Sequence, residues 1–136
     1  MLTFKEFKGF AKVENIKERY KIGKVLGKGS FGTVRMALHR KGKIKCAIKM
    51  ISKESLQDQQ IMRDLMMNEL EVLEKVSHPN ILNIFELLHD DKYFFIVSEF
   101  MRCGELYNFI VEKGAISEME VKILVKQIFL AINYLH

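Results

Sequence analysis

Hydrophobic residues recur along this chain with two periods, and the switches between them mark its elements. Phe4, Phe7, Phe10, Val13 and Ile16 stand three residues apart, which predicts an amphipathic lead-in helix over residues 1–19. From Tyr20 the period falls to two. Residues 20–26 and 33–38 read as strands, and in the second Val34, Met36 and Leu38 alternate with polar or small residues. Arg40-Lys41-Gly42-Lys43 is a turn into a third strand, which sets Ile44, Cys46, Ile48 and Met50 on one face and Lys45, Ala47 and Lys49 on the other. A helix is predicted over residues 56–76. Ser77-His78-Pro79-Asn80 stops it, because proline disfavours helical geometry in the residue before it. Residues 81–88 and 93–100 read as two more strands joined by His89-Asp90-Asp91-Lys92.

Beyond Phe100 the pattern is helical. Residues 104–113 form a short helix ended by Gly114, and a longer one follows Ser117, whose pairing with Glu120 is a capping box. The stripe Val121, Leu124, Val125, Ile128, Ala131, Ile132 and Leu135 predicts that this second helix lies in a core. The order is five strands with one inserted helix, then helices only.

Composition narrows the class without naming a chemistry. A chain of 136 residues with 49% hydrophobic and 29% charged residues and one proline reads as a soluble, folded domain or part of one. Its apolar runs are too short to span a membrane, and the N-terminus carries lysines and a glutamate within its apolar pattern, unlike a secretory signal. Cys46 and Cys103 form no CxxC pair, which points to a reducing, intracellular and cytoplasmic setting. His39, His78, His89 and His136 have no metal-ligand spacing, so no metal-binding residues are expected within the chain. The formal net charge of +5 comes from lysines spread along the sequence, with no aromatic interleaving, and reads as a solvated surface rather than a nucleic-acid face.

The candidate chemistry begins at Leu26-Gly27-Lys28-Gly29-Ser30-Phe31-Gly32-Thr33-Val34, which holds three glycines at G-x-G-x-x-G spacing. In a dinucleotide-binding fold the third glycine opens a helix, but the alternation after Gly32 is that of a strand. A P-loop needs a lysine after its last glycine, and Thr33 stands there. What remains is a glycine loop between antiparallel strands. It is either a phosphate-covering loop or a hairpin with glycines at positive φ.

A second feature bears on that choice. At about 100° per residue, Ile61, Met62, Leu65, Met66, Leu70, Val72, Leu73 and Val76 form one broad apolar face of the inserted helix, with Glu69 near its middle. A buried carboxylate costs several kcal/mol unless paired, so either a cation faces Glu69 or its side chain reaches the edge of the face. Lys49 is the first candidate; Arg35 and Lys45 are the others.

Together these residues resemble the protein kinases. The glycine loop, Cys46-Ala-Ile-Lys49 and Glu69 match the glycine-rich loop, third-strand lysine and C-helix glutamate of that family. His78-Pro-Asn-Ile81, Ile96-Val-Ser-Glu-Phe-Met101 and Gly104-Glu-Leu106 follow in order, and the resemblance covers residues 20–136. The wording of residues 68–82, NELEVLEKVSHPNIL, is most similar to calcium/calmodulin-dependent and calcium-dependent serine/threonine kinases.

The resemblance implies an α+β fold: a kinase N-lobe with a five-stranded antiparallel sheet and a C-helix, then the first helices of a truncated C-lobe. Residues 1–19 would be an N-terminal extension, 20–102 the N-lobe and hinge, and 103–136 the start of the C-lobe. It further implies that Gly27, Gly29 and Gly32, with Lys28, Ser30, Phe31 and Thr33 between them, close over the phosphates of ATP. Lys49 would contact the α- and β-phosphates, oriented by an ion pair with Glu69. Leu26, Val34 and Ala47 would roof the adenine, the backbone of Glu99 and Met101 would hydrogen-bond its edge, and Glu105 would reach the ribose. Ser98 would stand at the back of the adenine pocket, where a small side chain predicts extra room. Cys103 would lie just past the hinge.

The family's H-R-D-L-x-x-x-N loop and D-F-G motif do not occur in the chain. The ligands of Mg²⁺ are therefore expected beyond its end, along with the catalytic aspartate. The expected function is the ATP-binding part of a serine/threonine kinase acting on a protein substrate, with calcium-linked regulation and no membrane or nucleic-acid partner, as a fragment inactive alone. The alternatives are a truncated nucleotide-binding or regulatory module that docks a partner, and a non-functional remnant.

Overall fold

A computed structural model describes residues 9–30 and 32–136. The chain divides into two compact units. One holds the described residues up to Lys75 together with Asn83–Phe100; the other holds Val76–Leu82 and Met101–His136.

The first unit is a six-stranded sheet with three helices. In chain order it comprises β1 (Ala11–Lys12), α1 (Ile16–Arg19), β2 (Tyr20–Gly29), β3 (Gly32–His39), β4 (Lys45–Ser52), α2 (Lys53–Gln57), α3 (Gln60–Lys75), β5 (Ile84–His89) and β6 (Tyr93–Glu99). The strands lie in the order β1-β5-β6-β4-β3-β2. β1 runs parallel to β5 and all other neighbours are antiparallel.

The sheet has six strands rather than five, because Ala11–Lys12 pairs with Leu88 and His89. Among the described residues the lead-in is also not one helix. Only Ile16–Arg19 is helical, capped by Asn15, whose side chain accepts from the Lys17 N–H at 3.0 Å. The three-residue spacing marked burial rather than a helix: Val13, between β1 and α1, and Ile16, the first residue of α1, are buried. Phe4 and Phe7 lie outside the described residues. The inserted helix is likewise split at Asp58 and Gln59 into α2 and α3.

The strand alternation holds in β4 and β6. Ala37, Cys46, Ile48, Phe95 and Val97 line one sheet face and join Val13, Ile16, Tyr20 and Leu88 in one core cluster. Ile51 and Phe94 face the other way and pack with Leu56 of α2, flanked by Phe10, Ile96 and Met66 and Met67 of α3. The helices α2 and α3 therefore cover the face opposite the first cluster. Tyr20 is anchored by its hydroxyl, which donates to Glu86 Oε1, while Arg19 donates to Glu86 Oε2 at 3.2 Å. Burial, then the adjacent carboxylate, pushes the Tyr20 phenol well above its ordinary range. The same two causes raise the Cys46 thiol.

The second unit contains α4 (Leu106–Lys113) and α5 (Glu118–Leu135). Gly114, at φ 78°, ends α4, and the Ser117–Glu120 capping box opens α5. Lys113 pairs with Glu120, and that bond together with those from Ser117 pushes the Glu120 carboxyl down to about 2. Ser77 donates its backbone N–H to the Tyr134 hydroxyl at 3.1 Å, and Asn80 donates to Gln127 at 3.2 Å, so residues 76–82 are held by α5. No residue of α4 or α5 is buried, and the stripe that reads as a core face is exposed except at the half-buried Leu124 and Ala131.

Candidate functional site

The glycine loop is the β2–β3 hairpin. Its strands pair Gly27 with Val34, Lys28 with Thr33 and Gly29 with Gly32, after register shifts between Ile22 and Gly27. The three glycines differ in what the fold asks of them. A Cβ on Gly32 would overlap the carbonyl oxygen of Met50, so close passage of β4 requires glycine there. A Cβ on Gly27 would meet nothing within 4 Å, and one on Gly29 only the Gly32 carbonyl at 4.0 Å. Neither has positive φ. Of the three loop glycines only Gly32 has positive φ, at 159°, so the positive-φ hairpin reading leaves Gly27 and Gly29 unexplained. Lys28 and Ser30 are exposed, Thr33 is half-buried, and Phe31 lies outside the described residues.

Register carries the loop onto the rest of the site. Val34 is opposite Lys49, and Lys49 opposite Ile96; Met36 is opposite Ala47, and Ala47 opposite Ser98. Directly opposed residues of antiparallel strands share a face. Val34, Lys49, Ala47 and Ser98 therefore lie on one face beside the loop, which is the face that α3 covers through Ile96. Ala47 and Ser98 are each 9% exposed, Val34 and Lys49 are half-buried, and Leu26 is exposed at the start of the loop.

Glu69 departs from expectation. It is exposed, and among the described residues no ion pair joins it to Lys49. The apolar face of α3 is wider than what it packs on: Leu70 is buried and Met66 and Met67 are half-buried, but Ile61, Leu65 and Val72 are exposed. Glu69, about 100° around the axis from Leu70, falls on the border between those halves. Of the other candidate partners, Arg35 donates its Nε to the Gly23 carbonyl at 3.0 Å and Lys45 is exposed.

At the end of β6 the structure adds a residue that the sequence reading missed. The Asn83 N–H donates to Glu99 Oε1 at 2.8 Å, and the Glu99 N–H donates to the Asn83 carbonyl at 3.0 Å. This two-way clasp fixes Glu99 and occupies its N–H, leaving its carbonyl as the acceptor, which receives a long 3.4 Å bond from the Ser98 hydroxyl. Nothing in the spacing of Asn83 and Glu99 signals the pair; β5–β6 pairing brings them together. In the other unit Met101 and Cys103 are exposed and Glu105 is the N-cap residue of α4, without a side-chain capping bond. Among the described residues no group of three histidine, cysteine or acidic side chains is placed to hold a metal ion, and no helix is long and apolar enough to cross a membrane.

Residues 20–136 match the protein kinase domain family, and the chain belongs to it. Its curated relatives include serine/threonine kinases. It is 39% identical over 123 residues to the probable serine/threonine-protein kinase fhkD of Dictyostelium discoideum, covering 90% of this chain and 16% of that protein. It is 35% identical over 122 residues to the human NUAK family SNF1-like kinase 1, covering 90% of this chain and 18% of the relative. The chain thus spans less than a fifth of the length of these two relatives. Among solved structures it is similar to Rad53 residues 1–466 in complex with AMP-PNP, with a TM-score of 0.79 and 33% identity over 88% of this chain and 31% of that one. The expected kinase-like fold stands, with a mixed six-stranded sheet.

Proposed function

We propose that the face formed by the β2–β3 loop, Val34, Ala47, Lys49 and Ser98 holds ATP, and that the chain is the nucleotide-binding part of a serine/threonine protein kinase acting on a protein substrate. One observation carries this. Glycine inside a strand costs about 0.5–1 kcal/mol relative to alanine, and at Gly27 and Gly29 neither space nor dihedral angle requires it. Two such positions on the loop beside Lys49 are accounted for if a ligand approaches that backbone where a Cβ would stand.

The residues fit the nucleotide. Exposed backbone N–H groups of a glycine loop are anion donors, and Lys49 on the adjoining face supplies the positive charge for the α- and β-phosphates. Ala47 and Val34 offer a small apolar surface for a planar base, Leu26 extends it, and the carbonyl of Glu99, held by Asn83, is the acceptor for an exocyclic amine. Lys28, Ser30, Phe31 and Thr33 complete the loop, and Met101 and Glu105 are assigned to the adenine edge and the ribose on the family pattern. Lys49 pairs with Glu69 in the nucleotide-bound state; this is supported by the position of α3 on the Lys49 face and of Glu69 at its border. Bound ATP supplies the phosphoryl group for transfer. No set of metal ligands is present among the described residues, and Mg²⁺ belongs to this reading by family alone.

The calcium-linked subgroup, and regulation of that kind, rest on the wording of residues 68–82. Relatives named as a probable myosin light chain kinase and as SNF1-like kinases both appear, which supports the serine/threonine class and no one subgroup. A cytoplasmic setting draws on two cysteines that form no disulfide.

The test is calorimetric titration of the chain with AMP-PNP, beside Lys49→Met. The parent binds, and the variant, with its fold unchanged by circular dichroism, binds at least about tenfold more weakly through loss of a charged contact. A parent that does not bind, or equal affinities, would refute the site.

A further inference from the structure

The family match begins at Tyr20, yet the chain is built into the first unit ahead of that point. Gly9 runs against the last turn of α3: a Cβ there would stand 2.5 Å from Glu74 Oε1, and its φ of +96° lies where side chains are strained. Phe10 meets Phe94 edge-on, ring centroids 5.0 Å apart, and packs on the cluster that also receives Met66 and Met67 of α3. β1 then pairs with the edge of β5, and the Val13 N–H donates to the His89 carbonyl at 2.8 Å. Val13 and Ile16 are finally buried on the opposite face of the sheet. Within eight residues one segment reaches the end of α3, the cluster on which α3 packs, the edge of the sheet and the far core.

We propose that residues 9–19 are a strap that positions α3 over the Lys49 face, with Phe10 as the positioning residue acting through Met66 and Met67. The inference rests on the nucleotide reading above. The helix would depend on this shared cluster because little of it is buried among the described residues. Leu70 is its one buried residue, while Ile61, Leu65 and Val72 face away, 75%, 58% and 56% exposed. Its sheet-side residues are flexible methionines, which take the shape their surroundings impose, and they pack on the cluster of Ile51, Leu56 and Phe94 that Phe10 also joins through Phe94. Ile96, which packs in the same cluster, is the cross-strand neighbour of Lys49. A shift of α3 is thereby felt directly beside the lysine. A strap serving stability alone would act on the whole unit equally.

The experiment compares the parent chain with Phe10→Ala, Phe10→Leu and Val13→Ala by hydrogen exchange over residues 60–75, by AMP-PNP affinity and by melting temperature. Val13→Ala is the control, since it weakens the same segment on the opposite sheet face. Phe10→Ala should speed exchange in residues 60–75 roughly tenfold relative to β4 and β6, a local opening rather than a global one, and weaken AMP-PNP severalfold. Phe10→Leu should recover most of both, and Val13→Ala should lower the melting temperature while leaving relative exchange in α3 and nucleotide affinity unchanged. Uniform exchange changes in Phe10→Ala and Val13→Ala alike would overturn the proposal. So would unchanged affinity in Phe10→Ala. Should Phe10→Ala not fold, the same comparison is read from Phe10→Leu against Val13→Ala. A parent chain that does not bind AMP-PNP would refute the nucleotide reading instead, and exchange in α3 would still decide whether the strap holds the helix.

Discussion

Replacing Gly27 and Gly32 by alanine, one at a time, separates the two demands on the loop. At Gly32 the new methyl would overlap the Met50 carbonyl oxygen and lie 2.9 Å from its carbon and 3.3 Å from Ile51 Cα, all backbone atoms. No side chain can rotate away, so β3 and β4 must part next to the Thr33–Met50 pair. Overpacking and weakening of a ladder bond together cost about 2–4 kcal/mol. Against a total stability of about 5–15 kcal/mol for a domain, that lowers the melting temperature by roughly 10 °C. At Gly27 the methyl meets nothing within 4 Å, and lower unfolded-state entropy should raise stability by up to about 1 kcal/mol. On nucleotide the order reverses. A methyl at the point of closest approach removes at least one backbone bond to a phosphate, about 1.5–3 kcal/mol, which is roughly tenfold to a hundredfold in affinity. Thermal unfolding by circular dichroism and calorimetric titration with AMP-PNP measure the two effects. Gly27→Ala should thus be stable and bind poorly. If it binds like the parent, the loop owes its glycines to something other than a phosphate.

Glu69→Leu should change stability by less than about 0.5 kcal/mol, as expected of an exposed helix position, while weakening AMP-PNP; unchanged affinity would remove Glu69 from the site. Tyr20→Phe should cost about 1–2 kcal/mol in chemical denaturation, because it takes away the hydroxyl that donates to Glu86 in a buried setting. The folded chain holds the Tyr20 proton more tightly than the unfolded one. That contribution is complete below the unfolded value of about 10 and declines as pH rises above it. The stability gap between parent and Tyr20→Phe should therefore be constant from about pH 7 to about pH 9 and shrink above about pH 10; a gap that widens with pH would refute the assignment.

The candidate site was legible where it rests on strand register. Period-two alternation placed Ala47 and Lys49 together on the face away from Cys46 and Ile48, and pairing with β3 and β6 then brought Val34 and Ser98 beside them. It was less legible on α3, because periodicity reports how wide an apolar face is and not how much of it a given neighbour covers; Glu69 is exposed for that reason. Asn83 and Arg19–Tyr20–Glu86 were not legible, since their partners are 16 and more than 60 residues away and meet only through β5. The lead-in misled through its even spacing. Phe10, Val13 and Ile16 are apolar because each enters a core, but two of those entries lie on opposite faces of the sheet, which no single helix could reach.

The two-residue strand β1 also bears on how copies of this chain avoid one another. It lies at the outer edge of the sheet and occupies the backbone groups of Leu88 and His89. An open edge strand is a template for intermolecular pairing, and a very short parallel strand offers little template of its own. A chain cut back to Tyr20, where the family match begins, would keep every residue assigned to the nucleotide but bare Leu88 and His89 at the end of β5, whose sequence Ile-Phe-Glu-Leu-Leu-His is largely apolar. A chain without the segment that looks dispensable by family comparison should therefore self-associate more readily at that edge.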